Sequence, residues 1–282
     1  MDIAKKHNSL GYSLLLFIYK VLGYKAVSFI LNFVALYYVL FARKVKVDLE
    51  SFYNAQNIKL TNKIFFKHIK SFATSLLDRF VSRINPEDFT YNGVNQEYLD
   101  TFKESGGIVL LSHFGGWASS THNLSTKNIP PMNVVMQDNT NKSMQEVEAD
   151  VKDENKQNVK IIDVNQGAFA TNIQIANVLM QGEIVAMMAD RVADEKRKIK
   201  VKFFSKDVYI NKDPFDIAKR MNKPMIVVHT INKGSREYEA RYYKIDSENN
   251  TLEENAQNYM DILEEVVKEY PYQWYNFYDY FI

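Results

Sequence analysis

The segment that most constrains the fold is a short apolar run that ends in a histidine and a glycine-rich turn. Ile108 to Leu111 are continuous apolar residues, which is typical of a strand buried on both faces of a parallel sheet. His113 follows, and Gly115 and Gly116 allow the backbone to approach a ligand closely. Ligands of open α/β sheets bind beyond the carboxyl ends of strands, and imidazole transfers protons near neutral pH. We therefore predict a functional site at His113, with a buried, fully hydrogen-bonded histidine as the alternative.

The rest of the chain alternates between strand-like and helix-like patterns. Apolar residues recur every three or four positions between Thr61 and Arg83, which predicts an amphipathic helix. The predicted strands cover residues 108–111, 133–136, 159–162, 184–188 and 224–229, and the later helices cover 168–180, 214–221 and 252–270. Residues 238–244 are expected to add an edge strand, and residues 91–93 to form a turn. This order predicts an α/β fold, a mostly parallel mixed sheet covered by helices.

The N-terminal segment from Tyr12 to Phe41 is strongly apolar. Its longest charge-free part, residues 26–41, is shorter than the roughly 20 residues that span a bilayer. Arg43 and Lys44 follow it, so we predict two short helices in the membrane interface, or else a hydrophobic hairpin packed on the domain. The predicted division is residues 1–46 for membrane association and residues 47–282 for the α/β domain, in which 47–92 form a helical cover and 93–282 the sheet and C-terminal helix.

The composition excludes several classes of function. The chain has 282 residues, with 35 Lys and Arg against 34 Asp and Glu, so no overall charge favours binding to nucleic acid. It has no cysteine, which excludes disulfides, thiolate zinc sites and a cysteine nucleophile. The sequence also lacks a nucleophile elbow, a phosphate-binding P-loop, a dinucleotide fingerprint and a zinc-protease histidine pair.

A second strand-like run also ends in polar residues that suit a site. Asp190 and Arg191 follow the apolar residues 184–188. If the two strands are neighbours, Asp190 lies at the same sheet edge as His113 and orients its ring, while Arg191 holds a phosphate. A structural ion pair between the two is the alternative.

The remaining polar candidates are less specific. Residues 195–205 alternate basic and apolar side chains, which suits either a solvated strand or a surface for a phosphate, an acidic carrier protein or anionic lipid. His7 and His68 occupy expected surface or helix positions, and His229 is expected in the core. His122 is a site candidate because it follows the glycine turn on the next expected helix.

The chain resembles the bacterial lipid A biosynthesis acyltransferase family, within the lysophospholipid acyltransferase superfamily, and is most similar to its branch linked to aryl polyene and aminoacyl-lipid pathways. The resemblance rests on short motifs that occur in order along nearly the whole chain. They are Phe41-Ala42-Arg43, the run from Phe72 to Asp78-Arg79, Ser112-His113-Phe114-Gly115-Gly116, Ala189-Asp190-Arg191-Val192, Phe203-Phe204, the run from Pro214 to Ala218, and the run from Tyr270 to Asp279.

This resemblance implies a membrane-associated enzyme that moves a fatty acyl group from an acyl carrier protein or coenzyme A thioester to a hydroxyl or amine of a lipid precursor. It implies the cytoplasmic face of the inner membrane and no metal or other cofactor. His113 would be the general base, and the amides of Gly115 and Gly116 would hold the oxyanion. Trp117, Arg191 and His122 are expected to bind substrate.

One family residue is missing. The family places an acid five residues after the histidine, and this chain has Ala118 there. In triad enzymes such an acid orients the base and stabilises its charge. Asp190, Asp138 and His122 are the candidates for this role, and we favour Asp190 as the second catalytic residue. The alternative is a catalytically silent lipid-binding or assembly subunit with the same fold.

Overall fold

The structure, a computed structural model, describes residues 3–117, 119, 129–136, 159–192 and 194–282, with side chains from residue 17 onward. Within these ranges a mostly parallel mixed sheet is flanked by helices, which confirms the predicted fold. The strands are β1 (Thr90–Val94), β2 (Gly107–Leu111), β3 (Met132–Met136), β4 (Val159–Asp163), β5 (Ile184–Met188), β6 (Lys198–Phe203), β7 (Lys206–Asn211), β8 (Met225–Gly234) and β9 (Glu237–Ile245). The helices are α1 (Ile3–Phe41), α2 (Arg43–Ala55), α3 (Asn62–Ile84), α4 (Phe102–Ser105), α5 (Ala168–Met180), α6 (Asp213–Met221) and α7 (Leu252–Glu269).

Strand β2 lies in the middle of a sheet with the order β1-β9-β8-β2-β5-β3-β4. Its neighbours β5 and β8 both run parallel to it. Ile108 and Leu110 face one apolar layer, and Val109 and Leu111 face the other, so the strand is covered on both sides. The unbroken apolar run is therefore a consequence of burial on both faces. In this arrangement the residues that follow β2 and β5 lie at the same edge of the sheet.

Two local predictions are wrong. Residues 91–93 form part of strand β1 instead of a turn, and β9 is not an edge strand because it pairs with both β1 and β8. Tyr91 and Tyr238 are in register in the parallel β1–β9 pair, and their rings stack with centroids 5.3 Å apart. This cross-strand packing outweighs the turn preference of Asn92-Gly93, since strand formation depends strongly on tertiary context.

Within the basic run of residues 195–205, residues 198–203 form β6, which pairs with β7 in a separate antiparallel hairpin. The side chains of β6 alternate between buried and more exposed positions, as the alternation of apolar and basic residues in the sequence indicates. Lys200 and Lys202 both form salt bridges with Asp207, at 2.6 and 2.5 Å. Their charges are therefore partly neutralised on the hairpin itself.

Helix α1 is interrupted at Gly23, whose dihedral angles (φ 78°, ψ 179°) are not helical. This break gives the two helical parts that the sequence predicts. In the second part Val27 and Leu31 are buried and pack in a cluster that includes Leu77 and Val81 of α3. Residues 17–41 have a mean hydropathy of 1.6 and are long and apolar enough to cross a membrane by length and composition alone.

Candidate active site

The candidate active site lies beyond the carboxyl ends of β2 and β5. Leu111 and Met188 are paired in register, and His113 and Asp190 each follow two residues later. Nδ1 of His113 is 2.9 Å from Oδ1 of Asp190, and the backbone N–H of His113 donates to Oδ2 at 3.0 Å. The neighbouring strands thus bring together the two residues that the sequence analysis selected, through two contacts from one carboxylate.

The environment of Asp190 favours its ionised form. The side chain is completely buried, whereas 22% of the His113 side chain is exposed. Burial alone would raise the pKa of this carboxyl, but the charge of His113, its hydrogen bonds and the charge of Arg191 lower the pKa to about 2. At neutral pH the carboxylate is therefore an acceptor only.

This ionisation state fixes the role of each nitrogen of His113. Because the Asp190 carboxylate can only accept, Nδ1 of His113 carries a proton and donates it. In the neutral ring Nε2 is then the proton acceptor. The ring is partly exposed, and the Trp117 ring lies against it with centroids 5.3 Å apart in an edge-on arrangement. The pair can accept a proton from a hydroxyl or amine and stabilise the charge that results.

The two glycines have a structural role different from the expected one. Gly115 has φ +56°, and an added Cβ would lie 2.0 Å from the carbonyl oxygen of Thr230. A Cβ on Gly116 would lie 2.3 Å from the Tyr238 ring. The Gly115 N–H donates to the Gln273 carbonyl and the Gly116 N–H to the Thr230 carbonyl, both at 2.7 Å. Both amides therefore already have acceptors within the fold, and in this arrangement they are not free to hold an oxyanion.

Arg191 is held at the same sheet edge by the C-terminal segment. Its guanidinium donates to the backbone carbonyl of Tyr275 and lies over the ring of Tyr278, 5.8 Å from the centroid. Its Nε is buried, without a hydrogen-bond partner in the part of the chain that the structure describes. The side chain thus provides a fixed positive charge beside the acid–base pair.

The site also contains residues to which the sequence analysis gave no role. The indole N–H of Trp274 donates to Oδ2 of Asp190 at 3.2 Å, and the Tyr280 hydroxyl donates to the Asp190 backbone carbonyl at 2.6 Å. The backbone N–H of Tyr275 donates to the His113 carbonyl at 2.8 Å. The only sequence signal was the aromatic C-terminal run, which contributed to the family resemblance alone.

Other predicted positions differ in outcome. Ala118, His122 and Asp138 lie outside the described residues. His229 is buried, as expected, and its Nδ1 is 3.1 Å from the hydroxyl of Ser112. His68 lies on the helix α3, one of its two expected positions, and is fully buried beside Tyr53 instead of at the surface; burial lowers its pKa to about 3.

A comparison with protein families decides the classification. The model of the bacterial lipid A biosynthesis acyltransferase family matches residues 5–281. The chain belongs to this family. A comparison with curated proteins gives no match. The lipid A acyltransferase assignment agrees with the resemblance seen in the sequence and covers both the sheet and the C-terminal aromatic segment. Within the described ranges no three His, Asp or Glu side chains gather into a group that could hold a metal ion.

Proposed function

We propose that this lipid A-type acyltransferase is catalytically active, with Asp190 in place of the acid that the family has at the position of Ala118. The main support for this proposal is that one buried carboxylate accepts both the ring Nδ1–H and the backbone N–H of His113. Burial of an ionised carboxylate is costly even when the charge is paired, so a subunit that had lost catalysis would have no need to keep one here. The paired arrangement therefore favours the enzyme over the silent lipid-binding subunit.

The proposed reaction transfers an acyl group from a thioester of acyl carrier protein or coenzyme A to a hydroxyl or amine of a lipid precursor. Nε2 of His113 takes the proton of the acceptor, whose oxygen or nitrogen attacks the thioester carbonyl carbon. The carbon–sulfur bond then breaks, and the proton on Nε2 passes to the departing thiolate. The products are an ester or amide and a free thiol. The imidazolium that forms between the two proton transfers is stabilised by Asp190.

Arg191 is the proposed source of positive potential for the oxyanion or for a phosphate of either substrate. Its guanidinium is fixed by the Tyr275 carbonyl, and its charge is close enough to Asp190 to lower the pKa of that carboxyl. In this proposal Arg191, instead of the amides of Gly115 and Gly116, stabilises the negative charge of the oxyanion. A charge that is already held in place is effective because the site does not have to reorganise during the reaction.

The test uses the absence of cysteine from the chain. Release of thiol from acyl carrier protein and coenzyme A thioesters can be followed with a thiol-reactive chromophore, because the protein itself contributes no signal. Purified protein should release thiol slowly with water as acceptor and faster with its lipid acceptor, and His113→Ala should do neither. Equal thiol release by the wild type and His113→Ala would support the silent subunit.

We also propose that the second part of α1 attaches the enzyme to the cytoplasmic face of the inner membrane. Val27, Leu31 and Ala35 form a buried stripe, so this part of the helix lies along the domain. The opposite face carries exposed large apolar side chains, namely Phe29, Phe33, Leu36, Tyr37, Leu40 and Phe41. Such a face is typical of helices that lie in the membrane interface. Because the helix is packed along the domain, we propose that it lies in the membrane interface and does not cross the bilayer.

A further inference from the structure

The segment that follows α7 contacts His113, Asp190 and Arg191 of the candidate site. Residues 270–282 supply the Gln273 carbonyl that binds the Gly115 N–H, the Tyr275 N–H that binds the His113 carbonyl and the Tyr275 carbonyl that binds Arg191. In this segment the Trp274 side chain hydrogen-bonds to the catalytic carboxylate, through the indole N–H and Oδ2 of Asp190 at 3.2 Å.

We propose that Trp274 is a positioning residue that fixes the Asp190 carboxylate for proton transfer by His113. This inference rests on the proposed function of the His113–Asp190 pair. Oδ2 accepts from the Trp274 indole and from the backbone N–H of His113, and this leaves Oδ1 for the ring Nδ1. Two donors on one oxygen restrict rotation of the carboxylate about its Cβ–Cγ bond. The carboxylate therefore faces the imidazole in the orientation that keeps Nε2 unprotonated.

Trp274 can hold this orientation because its own ring is fixed. The side chain is completely buried. Its ring lies against Phe52 of α2 and Phe203 of β6, each with centroids 5.0 Å apart, and against Tyr280 at 4.8 Å. The separate β6–β7 hairpin and helix α2 thus build the cage that directs the indole N–H, although neither carries a catalytic residue in the proposed mechanism.

The backbone of Trp274 serves the same site from the other side. It forms an isolated antiparallel bridge with Phe114, the residue between His113 and the glycine turn. One residue therefore fixes the acid with its side chain and the turn that carries the base with its main chain. A substitution that preserves the ring but removes the N–H separates these two contributions.

The experiment replaces Trp274 site-specifically by benzothienylalanine, in which sulfur takes the place of the indole N–H with little change of shape. A hydrogen bond to a charged group is lost, so kcat for thioester-dependent acyl transfer should fall about tenfold or more with little change in KM. Tyr53→Phe is the matched control, because it removes the hydrogen bonds of the Tyr53 hydroxyl, to His68 and to the Pro271 carbonyl, from the same aromatic cluster without touching Asp190. This control should keep the wild-type kcat.

A second readout does not require turnover. The ring ¹⁵N chemical shifts of His113, assigned by their loss in His113→Gln, report which nitrogen carries the proton. We expect a single Nδ1–H tautomer in the wild type and in Tyr53→Phe, and a mixture in the benzothienylalanine protein. Wild-type kcat together with an unchanged tautomer in that protein would overturn the proposal, as would an equal loss of kcat in Tyr53→Phe. An inactive wild type with a Trp274-dependent tautomer would contradict the proposed function but not the positioning role.

Discussion

Replacement of Asp190 by asparagine tests the proposed acid without changing the size of the side chain. The asparagine oxygen can still accept from the Trp274 indole and from the backbone N–H of His113, at the place of Oδ2. The amide NH₂ then faces Nδ1 of His113, which has to become an acceptor. The neutral ring would carry its proton on Nε2, the nitrogen that should take the proton of the acceptor.

The structure indicates the scale of the effect. The pKa of Asp190 falls from its ordinary value of 3.8 to about 2 although burial acts in the opposite direction. This net difference corresponds to about 2 kcal/mol in favour of the charged form, or roughly two orders of magnitude in rate if the interaction with His113⁺ accounts for it. Loss of the orienting acid in a catalytic triad costs about 10⁴. We therefore expect kcat to fall by about 10² to 10⁴.

The assay is thiol release from acyl thioesters, measured beside thermal denaturation. Asp78→Asn is the control, because Asp78 is also completely buried but accepts from Tyr24 and Tyr238 instead of from a histidine. Asp78→Asn should keep its activity. If Asp190→Asn retained more than about a tenth of the wild-type kcat while remaining folded, Asp190 would not be the orienting acid and another residue would have to replace the family carboxylate.

Four further predictions address the base, the vacant family position, the second buried acid and the membrane helix. His113→Ala should abolish thiol release and leave the melting temperature near that of the wild type; wild-type turnover would remove His113 from the mechanism. Ala118→Glu should be neutral or harmful through like-charge repulsion, because Asp190 already occupies Nδ1 of His113; a rate gain of about tenfold, near 1.4 kcal/mol, would show that the natural site lacks its acid. Burial raises the pKa of Asp78 to about 6 despite its tyrosine hydrogen bonds. This group stabilises the fold below pH 4, and the contribution, about 3 kcal/mol at most, is lost as pH rises through 6. Relative to Asp78→Asn, the wild type should lose melting temperature between pH 4 and pH 7, and parallel curves would show that the carboxyl does not titrate there. Removal of residues 1–41 should release the protein from membranes or make it aggregate, whereas the full-length protein should resist a high-salt wash; a full-length protein that is soluble without detergent would exclude insertion of α1.

The meeting of His113 with Asp190 could be predicted from the sequence on the condition that their strands are neighbours, because both residues follow unbroken apolar strands; the strand order itself was left open. Buried parallel strands have a clear pattern, and their carboxyl ends share one edge. The hydrogen-bond acceptors of the Gly115 and Gly116 amides could not be predicted from the sequence. The carbonyls that accept from these amides belong to Thr230 and Gln273, which lie far along the chain and reach the turn only through tertiary packing. A glycine-rich turn predicts a flexible backbone but does not show which groups the backbone will bind.

Trp274 shows the same limit for a side chain. It contacts Asp190 across 84 positions of sequence. From the sequence alone, Trp274 cannot be told apart from an ordinary aromatic residue of the core. Only the assembled cage of Phe52, Phe203 and Tyr280 gives its N–H a direction. A local motif can therefore identify the base of such a site, while the groups that orient the base come from elements that are brought together by tertiary packing.

The two completely buried aspartates explain why an acid from a neighbouring strand can replace one from the family motif. The hydroxyls of Tyr24 and Tyr238, both neutral, donate to Asp78, and burial raises its pKa to about 6 although these hydrogen bonds and the charge of Arg236 lower it. Asp190 has His113 and Arg191 beside it, and its pKa falls to about 2. The adjacent positive charges, and not burial, therefore keep Asp190 ionised at neutral pH. Because the Leu111–Met188 register fixes the distance between the two strand ends, the sheet itself positions this carboxylate opposite the histidine, and the proposed mechanism needs no acid at position 118.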